Sequence, residues 1–190
     1  MLLIVRHGQT AANAEGRLLG RADPPLNKLG ERQARAVVQM LPTPTRVIAS
    51  PLQRATATAA AFGLPVEIDD RWVELDYGEL DGRPAALVEP ELWRRWRSDL
   101  TFSPTAGESL VDLGRRVQDA CVEIADAAAG GTVVVVTHVS PIKATIAWAL
   151  QVSDAIAWRM YVEDASVSRI DFESHGPVLR WFNRYVAPAV

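Results

Sequence analysis

Of the three histidines in this 190-residue chain, two directly follow short runs of branched apolar residues. Leu2-Leu3-Ile4-Val5 leads into Arg6-His7-Gly8-Gln9-Thr10, and Thr132-Val133-Val134-Val135-Val136 leads into Thr137-His138-Val139-Ser140-Pro141. A third run, Arg46-Val47-Ile48-Ala49, continues into Ser50-Pro51-Leu52-Gln53-Arg54 and brings an arginine one helical turn beyond its end. A neutral imidazole can attack phosphorus, and guanidinium forks bind phosphate oxygens in pairs. Two histidines and two arginines gathered at one place make electrostatic sense around an anion, and a phosphoryl group suits them. Gly8 would let the backbone approach that anion, and a helix starting after Val139 would add N–H donors. The third histidine, His175, falls in a polar turn and reads as solvated.

For these residues to meet, the three apolar runs must be neighbouring strands of one sheet. In open α/β sheets ligands bind outside the carboxyl ends of the strands, which is where both histidines fall. Helical patterns over 28–41, 52–62, 87–97, 110–129 and 141–150 alternate with the strand runs. That alternation predicts a single-domain, three-layer α/β/α sandwich over 1–190 with a mostly parallel sheet. Gly130-Gly131 reads as a left-handed helix stop, and Pro42 and Pro44 close the 28–41 helix. Segments 166–172 and 178–182, joined by Glu173-Ser174-His175-Gly176-Pro177, read as an antiparallel edge hairpin.

Composition narrows the classes of function. A net charge of -3 and a pI near 5.6 leave no basic excess for nucleic acid. The opening apolar run ends at Arg6, too short for a signal core or a membrane span. The single cysteine, Cys121, excludes an internal disulfide framework. These features lead us to expect a cytoplasmic protein with no membrane or nucleic-acid partner. No paired C-x-x-C, H-E-x-x-H or P-loop lysine motif is present, so no metal and no cofactor is expected.

The motif Arg6-His7-Gly8-Gln9-Thr10 with Asn13 resembles the signature of the histidine phosphatase superfamily, the phosphoglycerate mutase-like proteins. The resemblance continues in order through Gly20-Arg21-Ala22-Asp23-Pro24-Pro25-Leu26, Leu29-Gly30, Gln33-Ala34 and Ser50-Pro51-Leu52-Gln53-Arg54-Ala55. It then runs through Glu74-Leu75-Asp76-Tyr77-Gly78, Gly82, Gly107-Glu108-Ser109 and His138. It implies that His7 is the nucleophile, that Arg6, Arg54 and His138 form the phosphate pocket, and that Glu74 is the proton donor. Asn13 matches a position that binds phosphate or supports the nucleophile. Many members carry a glycine pair after the second histidine, whereas this chain has Val139-Ser140-Pro141-Ile142-Lys143. In that respect it is similar to α-ribazole phosphatase-like enzymes and to acid phosphatase domains fused to ribonuclease H.

The resemblance implies a phosphomonoesterase that needs no metal, with a small phosphorylated metabolite and inorganic phosphate as its partners. Glu74 would be kept protonated by an apolar setting near Trp72 and Tyr77 or by the bound phosphate, and His138 would be protonated. Glu67, Asp69, Asp70, Asp76, Glu79 and Asp81 crowd the same stretch as Glu74, and an acidic loop is usually just solvated. Gln9, Thr10, Gly20, Arg21, Val139 and Glu108 either touch substrate or fix loops. The tryptophans of Trp93-Arg94-Arg95-Trp96-Arg97 should pack inward with the arginines wet, and this helix is a candidate substrate lid. Two rival functions are a phosphoglycerate mutase, whose cofactor-dependent forms carry an insertion for which this chain lacks room, and a phosphate-binding module without turnover.

Overall fold

The structure is a computed structural model and describes residues 1–185. Its core is one six-stranded sheet in the order β3-β2-β4-β1-β5-β6. The strands are β1 (Leu2–Arg6), β2 (Arg46–Ala49), β3 (Val66–Ile68), β4 (Val133–Thr137), β5 (Val167–Glu173) and β6 (Gly176–Arg184). Strands β1 to β4 run parallel, while β5 pairs antiparallel with β1 and β6 with β5. The antiparallel hairpin therefore forms one edge, as expected.

Four consecutive valines make β4 a strand. Their β-branched side chains fit a pleated surface, and burial on both faces removes the need for polar alternation. All four are fully buried, each adding about 1.5–3 kcal/mol of hydrophobic stabilisation. Strand β1 alternates between the two layers. Leu2 and Ile4 pack with α5 (Leu110–Gly130) and α6 (Val139–Leu150), and Leu3 and Val5 with α2 (Lys28–Met40) and α3 (Gln53–Ala60). Helices thus cover both faces, the three-layer sandwich that the alternation of elements predicts.

Several boundaries differ from the sequence reading for local reasons. The helix expected over 87–97 is a 3-10 turn at Ala85–Leu87 followed by α4 (Pro90–Ser98). Pro90 disfavours helical backbone in the residue before it and suits a first turn. The last helix starts at Val139, two residues early, since Pro141 sits in its first turn, where no amide donor is needed. Helix α5 runs through Gly130, and Gly131 is extended (φ -157°), so the expected left-handed stop is not formed. Strand β3 and the single-turn α1 (Ala11–Ala14) went unpredicted, being three and four residues long. Among the described residues no helix is long and apolar enough to cross a membrane.

Candidate active site

Strand register builds the centre of the site. Val5 pairs with Val136 and Arg6 with Thr137, while Ala49 pairs with Val136 from the other side. His7, His138 and Ser50 are the next residues out of β1, β4 and β2, so three neighbouring strands deliver them to one edge. The His7 amide donates to Thr137 O (3.0 Å) and the Ser50 amide to Val136 O (3.0 Å), which extends the ladder one step beyond the strands. The loop after His7 is tightly packed. A Cβ on Gly30 would lie 2.1 Å from Gln9 O, and one on Gly8 2.4 Å from Gly30 O. Gly8 is therefore required by contact with the start of α2.

His7 is buried, and its Nδ1 lies 2.7 Å from the Gly8 carbonyl. A carbonyl only accepts, so Nδ1 carries the proton and Nε2 keeps its lone pair. Burial, then Arg54, then Arg6 hold the imidazole well below its ordinary pKa of 6.5, while the Gly8 bond opposes them. His7 is thus neutral at physiological pH with the Nε2 lone pair available as an acceptor.

Arg54 is fully buried. Its Nη1 donates to Ala22 O (2.8 Å), its Nη2 to Gly20 O (2.8 Å) and its Nε to His7 Nε2 (3.3 Å). Among the described residues the one carboxylate in ion-pair contact with it, Asp23, is 3.9 Å away and 40 % exposed. Arg6 instead has a close partner. Its Nη2 lies 2.6 Å from Asp164 Oδ1, a charge contact out of line for a hydrogen bond, and its Nη1 donates to Val162 O (2.7 Å). Among the described residues Arg6 Nε is buried without a partner.

His138 lies against His7. Its ring stands edge-on to His7 with centroids 4.9 Å apart, and its Nε2 is 2.7 Å from Ser50 Oγ. Burial, then His7, Arg54, Arg6 and Arg116, push its pKa well below 6.5, which keeps the ring neutral in the unliganded pocket. A buried cation beside two guanidiniums has nothing to offset it until an anion arrives. Its Nδ1 has no partner among the described residues.

Glu74 stands apart from the other acids of its stretch because it alone is buried. Asp69 bonds Arg71, Glu67 bonds Arg46, and Asp81 accepts the amides of Gly20 and Ala22 (2.8 Å each). Glu74 Oε1 accepts the amides of Leu75 (2.7 Å) and Ser140 (3.1 Å). The first turn of α6 thus gives the Ser140 N–H to this carboxylate. Oε2 has a longer contact with the Ser140 amide (3.3 Å).

The loop bearing Glu74 is fastened by Arg116, which sequence reasoning missed. It donates to the carbonyls of Arg71 (2.6 Å), Val73 (2.8 Å) and Glu74 (3.2 Å) and forks onto Glu108 (2.7 and 2.8 Å). Glu108 accordingly anchors a loop. Helical spacing from the buried Leu113 and Val117 was the one available signal for Arg116. Asp164 had no local signal, whereas Ser50 could have been found as the residue directly after β2.

The remaining residues sort by exposure. Thr10 is fully buried and caps α1, and Asn13 returns Oδ1 to the Thr10 amide (3.1 Å) and hydroxyl (2.8 Å). Gln9 donates to Asp164 (3.2 Å) and accepts from Asn27 (2.9 Å), which makes it a fastener of the partner of Arg6. Gly20 contributes its carbonyl to Arg54, and Arg21 lies at the rim, 3.6 Å from Glu108 and 3.7 Å from Asp76. His175 is exposed, as expected. Among the described residues no cluster of three or more His, Cys, Asp or Glu is placed to hold a metal ion.

Beside Glu74 opens a cavity of about 170 Å³ walled by Leu18, Leu75, Trp93, Trp158, Val139 and Lys143. Trp96 is fully buried and stacks on Trp93 (5.6 Å, 15°), while Arg94, Arg95 and Arg97 face solvent. The tryptophans of α4 therefore pack inward as predicted and supply one cavity wall.

Comparison with known proteins shows the family of the chain. A family profile described as histidine phosphatase superfamily (branch 1) matches residues 2–184. The bifunctional protein Rv2228c of Mycobacterium tuberculosis is 40% identical over 185 residues, 92% of this chain and 51% of that protein. The chain thus spans about half the length of the first curated relatives it matches. A probable phosphoglycerate mutase, GpmB of Yersinia enterocolitica, is 32% identical over 90% of this chain and 85% of its own length. The solved structure of mycobacterial glucosyl-3-phosphoglycerate phosphatase Rv2419c with vanadate superposes with a TM-score of 0.86, at 31% identity, covering 96% of this chain and 98% of that one. The profile spans nearly the whole chain and both similarities run through its length, so the chain belongs to the histidine phosphatase superfamily, branch 1.

Proposed function

We propose that this chain is a phosphomonoesterase that works through a phosphohistidine on His7 and requires no metal. The observation that carries the reading is the state of His7: a neutral ring with Nδ1–H on Gly8 O and an unprotonated Nε2 beside the Arg54 guanidinium. A phosphate dianion entering here displaces the Arg54-to-Nε2 contact and takes the guanidinium N–H groups onto its own oxygens. Nε2 then forms the N–P bond as the P–O ester bond breaks in line, and Glu74 protonates the departing oxygen. In the second step water attacks phosphorus, its proton returns to Glu74, and the N–P bond breaks to release inorganic phosphate. Arg6, Arg54, His138 and the Asn13 amide hold the equatorial oxygens, and gain of the dianion favours a proton on His138.

The test is hydrolysis of phenyl phosphate with chelator present, with acid-labile phosphate on the protein measured after rapid quench. Turnover and labelling by the wild type, both lost in His7→Ala, are expected. Turnover in His7→Ala would remove His7 as nucleophile, and turnover abolished by chelator would remove the metal-free scheme. The likeness to GpmB keeps mutase chemistry as the rival, and phosphoryl transfer to an added alcohol acid faster than to water would favour it. Phosphate binding without any turnover would favour a binding module.

A further inference from the structure

Building on the phosphatase reading, we infer that the cavity beside Glu74 receives the leaving alcohol, and that Lys143 selects substrates whose alcohol carries a carboxylate on a ring-sized, apolar body.

The cavity lies on the proton-donor side of the reaction centre. Leu75 and Ser140, whose amides hold Glu74, are both part of its wall, so an alcohol oxygen protonated by Glu74 departs into it. Its volume, about 170 Å³, is close to that of dry apolar cavities that take one benzene ring, about 150 Å³. The walls suit such a body. Trp158 stands edge-on to Trp93 (6.1 Å, 83°), and Trp96 and Tyr77 add further aromatic surface to the lining.

Lys143 is the one charged residue of that lining. It is partly buried, and among the described residues no carboxylate forms an ion pair with it. Burial pulls its pKa down, Glu74 pulls it up, and Arg6 opposes it. Glu74 is already engaged by two backbone amides and is committed to proton transfer. An ammonium taken partly out of water without a partner gains from an acceptor of opposite charge. Lys143 lies five residues beyond His138 along α6, about 7 Å of rise, so the acidic group must stand off from the phosphorus by a ring or a short chain.

The comparison uses phenyl phosphate against 3-carboxyphenyl and 4-carboxyphenyl phosphate, with 3-sulfophenyl phosphate to separate carboxylate recognition from any anion. The wild type should favour a carboxylated ester by about tenfold in kcat/KM, the scale of one charge-assisted hydrogen bond, with the difference in KM. Lys143→Met should bring that ratio close to one, and Lys143→Arg should restore most of it. Binding of the same esters to His7→Ala, read from tryptophan fluorescence, should show the same order without requiring turnover. Equal preference in the wild type, or an unchanged ratio in Lys143→Met, overturns the assignment; a tenfold gain for the sulfonate as well overturns the carboxylate choice. Absence of phenyl phosphate turnover, with the binding order intact, would count against the phosphatase reading and leave the subsite standing.

Discussion

Two neutral, buried histidines side by side should make the empty protein acid-sensitive in a way that mutation can isolate. In the unfolded chain a histidine takes up its proton near pH 6.5, whereas burial and the neighbouring cations hold His7 and His138 well below that value when folded. Above pH 6.5 neither state binds the proton and the pair contributes no pH dependence. Below it the unfolded state alone is protonated, so stability is lost as pH falls, by about 1.4 kcal/mol per pH unit for each histidine. The loss continues until the folded-state pKa is reached. From pH 6.5 to 5.0 that is about 2 kcal/mol each, against a total stability of roughly 5–15 kcal/mol for a domain. The assay is urea unfolding of the wild type, His7→Gln and His138→Gln at several pH values between 5 and 8, without phosphate. Each variant should recover about 2 kcal/mol relative to the wild type on going from pH 7 to pH 5, about 1 M in the urea midpoint. The acidic residues are common to all three proteins and cancel in the difference. A variant-minus-wild-type difference that does not change with pH, within about 0.5 kcal/mol, would refute the claim that these rings stay neutral when folded. Added orthophosphate should flatten the wild-type slope, because the bound dianion favours a proton on His138.

Arg116→Met strands three backbone carbonyls and Glu108 beneath the Glu74 loop and should cost about 3 kcal/mol in urea unfolding, with kcat falling as Glu74 loses its position. A cost under about 1 kcal/mol would show that the clamp is dispensable. Gly30→Ala drives a methyl group to within 2.1 Å of Gln9 O and should cost about 1–3 kcal/mol while shifting the loop after His7. Thermal unfolding together with kcat/KM measures both effects, and an unchanged kcat/KM would show that this contact does not set the position of the nucleophile.

The chain order of residues was enough to determine that strands alternate with helices, that the sheet is mostly parallel, and that His7, His138 and Arg54 meet at its carboxyl edge. The physical reason is local: runs such as Val133–Val136 suit only a strand buried on both faces, and the residues directly after such a strand lie where ligands bind. Spacing alone did not separate Glu74 from its acidic neighbours. Trp72 and α6 bury that one carboxylate and leave the others paired at the surface, and burial is a property of the packed whole. The charge of His138 was likewise decided by tertiary structure, since four positive or titratable neighbours from distant parts of the chain act on it. Asp164 beside Arg6, and Arg116 under the Glu74 loop, belong to the same class. Each acts through a partner tens of residues away, and only the fold brings such partners within reach.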